Sequence, residues 1–540
     1  MDKNNRKREL LFSAAFVLLL SSPNLLYWWL TRDSKAVTAL LLSMMLLYGI
    51  LRLLRNHPRL LLGVGLILGL YACADLIHLL DYGAHISVGA VGAIFDTDPK
   101  EATEFLLSVS ATTLPAIATF LVAGILLAWF YPGRRSAETS RQYMMITLLL
   151  IALPVIDFAA KGSTRHAAPM APIRAFAEYL GERAKLQALL RERHHFHFDA
   201  TRRSDGGPEH HVLILGESVR RDHLQQYGYP RATSPRLAAR DDLVLFTDVV
   251  SPANQTRRAV KMMLSPATAV SLDDFYRQGT IIGLAREAGL RTAWLSNQGR
   301  YGKHDTEISS IGREADETVF TNTDWDTLAL DEQLLAPFHA RSADGSRPRF
   351  TVVHLLGSHA DYRRRYPAAF EHFADTPPGG DGKDRRSIDA INAYDNSLRY
   401  TDSIVADIID TLDGSNASGC AVYTADHGEV LGEIGGRFTH GFPTVHRAEA
   451  EVPFMVWCSR RYRQRHPDIW TRLQANRNRP FSTEHLFNLL ADLMQIDYAG
   501  KEPATSPANA AFTPPATRFL LGTSGRPTSY ESFAATETGE

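Results

Sequence analysis

Apolar residues crowd the first third of the chain. Five runs stand out: Leu10–Leu30, Val37–Leu54, Leu60–Leu80, Thr112–Tyr131 and Tyr143–Ala160. Each approaches the ~20 residues that a helix needs to cross the hydrocarbon core of a bilayer. The basic start MDKNNRKREL also suits a cleaved signal peptide, but that reading explains only the first run. Five runs in succession predict an α-helical membrane domain of five transmembrane helices over residues 1–161. Lysine and arginine in the short connections set the orientation. Lys3, Arg6, Lys7 and Arg8 precede the first run, Arg52, Arg55 and Arg59 mark the second connection, and Arg134, Arg135 and Arg141 mark the fourth. The first connection has only Arg32 and Lys35, and the third only Lys100. The N-terminus is therefore expected in the cytoplasm, and an odd number of crossings puts the rest of the chain on the outer face.

The third connection, Asp81–Ser110, is too long for a simple turn. It reads DTDPKEATEF from Asp96, with Pro99 at a helix start. The pattern leaves open a solvated loop or a contact with lipid headgroups. Residues 162–207 read as a basic linker, in which Ile173–Leu190 forms a helix suited to the membrane surface. His194, His195 and His197 read as solvated, because no carboxylate or cysteine is spaced with them.

Beyond the linker the period changes. HVLILGES from His211, RTAWLSNQ from Arg291, RFTVVHLLGSH from Arg349, GCAVYTADHGE from Gly419 and VPFMVWCS from Val452 are apolar runs of strand length. Helical stretches such as Thr280–Ala288, Asp389–Leu412 and Thr483–Met494 lie between them. Strands alternating with helices predict an α/β domain over residues 208–502 with a mainly parallel central sheet. The tail, 503–540, is rich in Pro, Ala, Ser and Thr and reads as flexible or draped on the surface, with RFLLGTS able to add a last strand.

Composition narrows the partners. A formal net charge of −1 gives no polyanion signal, so nucleic acid is not an expected partner. Three cysteines make no disulfide framework. Cys73 lies in an apolar run and reads as a buried hydrophobe, while Cys420 and Cys458 each sit beside a strand, and a bridge between them stays open.

Sites in open α/β sheets form beyond the carboxyl ends of strands. Glu217, His359, Asp426 and His427 fall at such ends, and His440 follows in RFTHGFP. Carboxylates and imidazoles together suit a borderline cation such as Zn2+. Any one of them alone would suit a helix cap or a surface group. There is no GxSxG elbow and no obvious catalytic cysteine. Thr256, in SPANQTRRAVKMMLS, follows the strand-like LVLFTDVV and precedes an amphipathic helix. Its hydroxyl would meet the helix N-terminus, a ready anion site, and a metal would lower its pKa. The alternative is a simple N-cap.

At HVLILGES, NQT, GSH, ADHGE and THG, in that order behind five apolar runs, the chain resembles the phosphoethanolamine transferases. These are inner-membrane members of the alkaline phosphatase/sulfatase superfamily. The resemblance implies an alkaline phosphatase-like catalytic domain in the periplasm and phosphatidylethanolamine as donor. By position it implies that Glu217, Asp426, His427 and Thr256 bind a catalytic zinc and that Thr256 is the nucleophile. His359 and His440 match histidines that hold the phospho-group, assist the leaving group or bind a second metal. TDPKE matches a segment implicated in gripping the donor, which makes Thr97 and Glu101 candidates, although Ala93 stands where the family has asparagine. Arg300 and Lys303 compete for a phosphate contact. The stretch NQTRRAVKMMLS and the missing cysteines set the chain nearer the branch acting on lipopolysaccharide core sugars or osmoregulated periplasmic glucans than the lipid A branch. A phosphoglycerol transferase would use the same threonine chemistry with phosphatidylglycerol. A membrane-anchored sulfatase-like hydrolase would need a C/S-x-P-x-R motif, and Thr256 sits in none.

Overall fold

The computed structural model describes residues 3–32, 34–82, 85–86, 88, 91, 113–129, 140–160, 162, 167–193, 196–203, 209–298, 307–322, 330–343, 345 and 347–532. They form two compact units, divided between Arg183 and Ala184.

The first unit is helical. It contains α1 (Lys3–Leu20), α2 (Ser22–Thr31), α3 (Ser34–Leu54), α4 (Pro58–Tyr82), α5 (Thr113–Trp129), α6 (Arg141–Ala159) and the start of α7 (Met170–Arg193). Phe16, Leu47, Leu51, Leu61, Ala72 and Phe120 pack inside it, with the free Cys73 buried among them. Leu66, Ile67, Ile125 and Leu149 point outward. An apolar exterior over apolar helices matches lipid rather than water. Among the described residues, three helices are long and apolar enough to cross a membrane: Lys35–Leu54, Pro58–Leu80 and Arg141–Ala159.

The other two expected spans look different. The first run bends by 54° between α1 and α2, where Ser21 and Ser22 precede Pro23, a residue that cannot donate to the helical ladder. The fourth contains α5, whose described 17 residues include the shorter apolar helix Pro115–Leu127. The described residues thus hold three helices of spanning length, or four if the bent pair is one span.

The second unit is built on seven strands: β1 (His210–Gly216), β2 (Leu243–Phe246), β3 (Arg291–Ser296), β4 (Glu317–Phe320), β5 (Arg349–His354), β6 (Cys420–Ala425) and β7 (Phe454–Cys458). Their order is β2-β7-β6-β1-β5-β3-β4. β6, β1, β5, β3 and β4 pair in parallel, and β7 runs antiparallel to both β6 and β2. The sheet is therefore mixed. Phe454, the first residue of β7, faces Thr424 near the end of β6. The connection over 426–453 thus stays at the carboxyl end of β6, and the strand that follows must run back.

All five apolar runs noted above supply strands of this sheet. The helical stretches appear as α9 (Ile281–Glu287), α10 (Arg385–Gly414) and α11 (Leu486–Leu493), the last behind a short 3-10 turn, and α8 (Thr256–Met263) precedes them. Over its described residues, 503–532, the tail is part exposed and part packed. Its RFLLGTS run gives β8 (Phe519–Leu521), which pairs with β9 (Pro527–Ser529). Leu520 is buried with Val250, Val445, Ala450 and Tyr530, and Arg518 pairs with Asp248 and Glu531. Leu520, Tyr530 and Arg518, not average composition, decide whether the segment packs.

Cys420 and Cys458 face each other across β6 and β7 and are bonded. They close a loop of 38 residues, a constraint worth about 3–4 kcal/mol in the chain-entropy account. Alkylation of the denatured protein without reductant should label one cysteine, and with reductant all three; three labels in both conditions would contradict the bridge.

His210 and His211 on β1 are buried, and burial first, then neighbouring arginine charge, pushes both imidazoles down to about 3. Between that value and the ordinary 6.5, the unfolded chain holds more protons than the folded one. Stability should therefore be intact above pH 6.5 and fall progressively as the pH drops toward 3. Urea midpoints of the wild type and of the His210→Gln/His211→Gln double variant check this: the variant should show the shallower slope, and identical slopes would contradict it.

Candidate active site

Parallel pairing of β1 and β6 sets Gly216 opposite Ala425. The next residue on each strand, Glu217 and Asp426, must leave the sheet side by side. Both are fully buried. Ser218 takes the left-handed conformation, φ 58°, and its backbone N–H donates to Asp426 Oδ1 at 3.2 Å while its hydroxyl donates to Glu217 Oε1 at 2.9 Å. The backbone N–H of His427 also donates to Asp426 Oδ1, at 2.8 Å.

On the other side of β1, Leu215 faces His354 at the end of β5. The GSH turn follows. The Asp331 carboxylate anchors it, accepting the N–H groups of Leu356 and Gly357, each at 2.9 Å, and the Asn297 amide at 2.8 Å. Gly357 has φ 54°, and a Cβ there would lie 2.9 Å from the Glu217 carbonyl oxygen. The turn can approach Glu217 only because this residue is glycine.

Thr256 opens α8 (Thr256–Met263), whose Ala259, Val260, Met262 and Met263 face the core. The N-cap is Gln255, so Thr256 is the first helical residue rather than the cap. Its hydroxyl donates to Glu217 Oε2 at 3.0 Å and lies 3.4 Å from His427 Nε2. His427 Nε2 is 3.3 Å from Glu217 Oε1 and 3.5 Å from Asp426 Oδ2. The His440 ring centre lies 4.1 Å from that of His427 and 6.1 Å from that of His359. One donor atom each from Glu217, His427 and His440 falls within 4.8 Å of the others. Six residues that are scattered along the chain thus meet at one place.

The electrostatics are those of crowded, buried charge. Burial first, then the Glu217 charge, pushes Asp426 up to about 7. Burial disfavours a charge on His427, yet Asp426 and Glu217 outweigh it and raise the imidazole to about 10. Burial likewise opposes a charge on Glu217, but the hydrogen bond and charge of His427 hold it well below the usual carboxylate range. Burial lowers His359 to about 4, so it is neutral at pH 7. Asp426 Oδ2 and His359 Nδ1 are buried without a hydrogen bond. Carboxylate oxygens, a hydroxyl and imidazoles converging in one buried place make a set that fits a divalent cation such as Zn2+.

Four expected contacts, Thr97, Glu101, Arg300 and Lys303, lie outside the described residues, as do Ala93, His194 and His195. Pattern reasoning also missed residues that matter to the geometry. The Gln298 amide donates to Glu217 Oε2 and to the Leu355 carbonyl, each at 3.1 Å. It ends the apolar run RTAWLSNQ, so the strand-end rule would have found it. Glu449 accepts from the Asn254 amide and from the N–H groups of Gly441, Phe442 and His446. It ties the stretch before Thr256 to the loop of His440, and nothing in its sequence context signals that role. Glu429, the last residue of ADHGE, receives His440 Nδ1 at 2.8 Å and the Tyr362 hydroxyl at 2.9 Å.

Because the GSH turn is wedged against Glu217, Gly357→Ala should displace the carboxylate and lower bound zinc and turnover at least about tenfold, the range seen when groups supporting a metal site are disturbed. Elemental analysis with an activity assay checks this; full zinc content and full activity would contradict it.

A family model described as Sulfatase matches residues 209–496. The chain is 27% identical over 481 residues, 83% of its length and 82% of the relative's, to phosphoethanolamine transferase EptC of Escherichia coli (strain K12). The crystal structure of the C-terminal periplasmic domain of E. coli EptC in complex with Zn matches with a TM-score of 0.58 at 26% identity, over 62% of this chain and 96% of that one. The integral membrane protein lipooligosaccharide phosphoethanolamine transferase A (EptA) from Neisseria meningitidis matches with a TM-score of 0.70 over 93% of this chain and 99% of that one. At 19% identity the last is a likeness of fold.

Proposed function

The chain belongs to the sulfatase family, and from that premise we propose that it transfers phosphoethanolamine from phosphatidylethanolamine to a lipopolysaccharide or other periplasmic glycan acceptor, through a phospho-threonine at Thr256. The observation that carries the reading is the Thr256 hydroxyl at a helix start, 3.0 Å from Glu217 and 3.4 Å from His427. Its relatives are phosphoethanolamine transferases, which supports the headgroup. The reading includes five membrane spans, a cytoplasmic N-terminus and a catalytic unit on the periplasmic side of the inner membrane. The loop charges and the apolar outer faces of the helices support that placement.

Glu217, Asp426, His427 and the Thr256 hydroxyl would hold one zinc, whose charge when bound lowers the hydroxyl pKa and offsets the two buried carboxylates. Thr256 Oγ1 attacks the donor phosphorus. Its proton already points at Glu217 Oε2, at hydrogen-bond distance. The first turn of α8 offers backbone N–H groups to the phosphoryl oxygens. His359, neutral at pH 7, and His440 face the same space and hold or assist the phospho-group. Diacylglycerol leaves, and phosphoethanolamine stays on Thr256. The acceptor oxygen then attacks the same phosphorus and frees the threonine, which gives ping-pong kinetics.

Full-length protein in detergent, supplied with zinc and with phosphatidylethanolamine carrying a fluorescent acyl chain, tests this. Wild type should release fluorescent diacylglycerol and Thr256→Ala should lose about a thousandfold or more, as nucleophile removal does elsewhere. Equal release by both would reduce Thr256 to a helix-start residue. Release only from phosphatidylglycerol would replace the headgroup.

A further inference from the structure

ADHGE continues directly into a two-stranded ribbon. Val430–Leu431 pairs antiparallel with Phe438–Thr439, and Thr439 faces Val430. In that register the next residues outward are Glu429 and His440. The ribbon brings them together although eleven positions separate them. Their contact is a consequence of local pairing and needs no long-range packing.

The backbone under Glu429 is fixed on both sides. The N–H of Gly428 donates to the Glu449 carbonyl at 2.8 Å, and a Cβ at position 428 would lie 2.1 Å from the Ala448 carbonyl oxygen. Arg220 Nη1 donates to the Glu429 carbonyl at 3.3 Å. The side chain is fixed as well. Glu429 is fully buried, and its two oxygens take the Tyr362 hydroxyl and His440 Nδ1. His440 is one-fifth exposed and is the outermost of the pair.

We propose that Glu429 is the positioning residue for His440: it fixes the ring and its tautomer, so that Nδ1 is committed to the carboxylate and Nε2 is the nitrogen presented to the Glu217–His427 centre. A buried carboxylate with one donor already on it accepts from the nearer ring nitrogen, which sets which nitrogen remains for substrate. A free imidazole on a two-residue ribbon would sample several rotamers, and a phospho-group would have to fix one at each turnover. The assignment rests on the reading of His440 as a residue that faces the phospho-group.

The test uses full-length protein and the fluorescent donor, with kcat and KM measured separately and melting temperature beside them. Glu429→Gln keeps the shape but offers an amide. It should lower kcat about 10–100-fold, with KM and melting temperature near wild type. Tyr362→Phe removes the hydrogen bond to the other oxygen and should lower kcat less. Both effects should vanish in a His440→Ala background, since each acts through that ring. Wild-type kcat in Glu429→Gln, or a double variant that loses the product of the two single effects, would overturn the proposal. If Glu429→Gln melts early, Tyr362→Phe with and without His440→Ala decides by the same criterion. Failure of the wild type to release diacylglycerol would count against the donor reading alone, and the same variants would then be compared on bis(p-nitrophenyl) phosphate.

Discussion

The rest of the catalytic unit is arranged around two carboxylates that the sheet forces together. Gly216 and Ala425 are register partners, so Glu217 and Asp426 emerge as buried neighbours. Two buried like charges at that distance cannot both persist without compensation. His427 supplies part of it, being raised to about 10 by those same carboxylates. Ser218 and the His427 backbone supply hydrogen bonds to Asp426 Oδ1, and Oδ2 lies 3.5 Å from His427 Nε2. Carboxylate and imidazole donors gathered in this way fit a cation. The Thr256 hydroxyl stands where that cation would act on it.

Supporting the centre is a second layer of buried carboxylates, each doing a separate task. Asp331 anchors the GSH turn by two backbone N–H groups. Glu449 joins the approach to Thr256 with the loop after His440. Burial pushes the Glu449 carboxyl up to about 7, and its N–H partners, the Asn254 amide and the backbones of Phe442 and His446 among them, oppose that rise. Glu429 orders His440 itself. The connection over 426–453 carries most of this machinery, which is why it remains at one end of the sheet and why β7 runs back along β6.

The strand ends were legible because a doubly buried strand is an unbroken apolar run, and the first polar residue after it marks the edge of the sheet. That rule located Glu217, Asp426 and His427, and it would have located Gln298. It could not give the direction of β7, which depends on where the preceding loop travels. Nor could it reveal Glu449, whose importance lies in contacts to four separated backbone and side-chain groups. Thr256 was read as either nucleophile or N-cap, and one residue of offset, with Gln255 at the cap, leaves its hydroxyl aimed at Glu217. Run length alone overstated regularity in the membrane unit, because Pro23 and the serines before it break the first run into two helices. In the tail, composition suggested looseness, whereas Leu520 and Arg518 fasten it to the unit.

The most direct measurement of the central claim is calorimetric titration of zinc into metal-stripped protein in two buffers of different ionisation heat. If Glu217, Asp426 and His427 share a proton that a cation must displace, zinc should bind saturably and release about one proton per ion at neutral pH. Asp426→Asn should weaken binding and change the proton count. Absence of saturable binding, or binding with no proton released, would contradict the account of a charge cluster built to hold a cation.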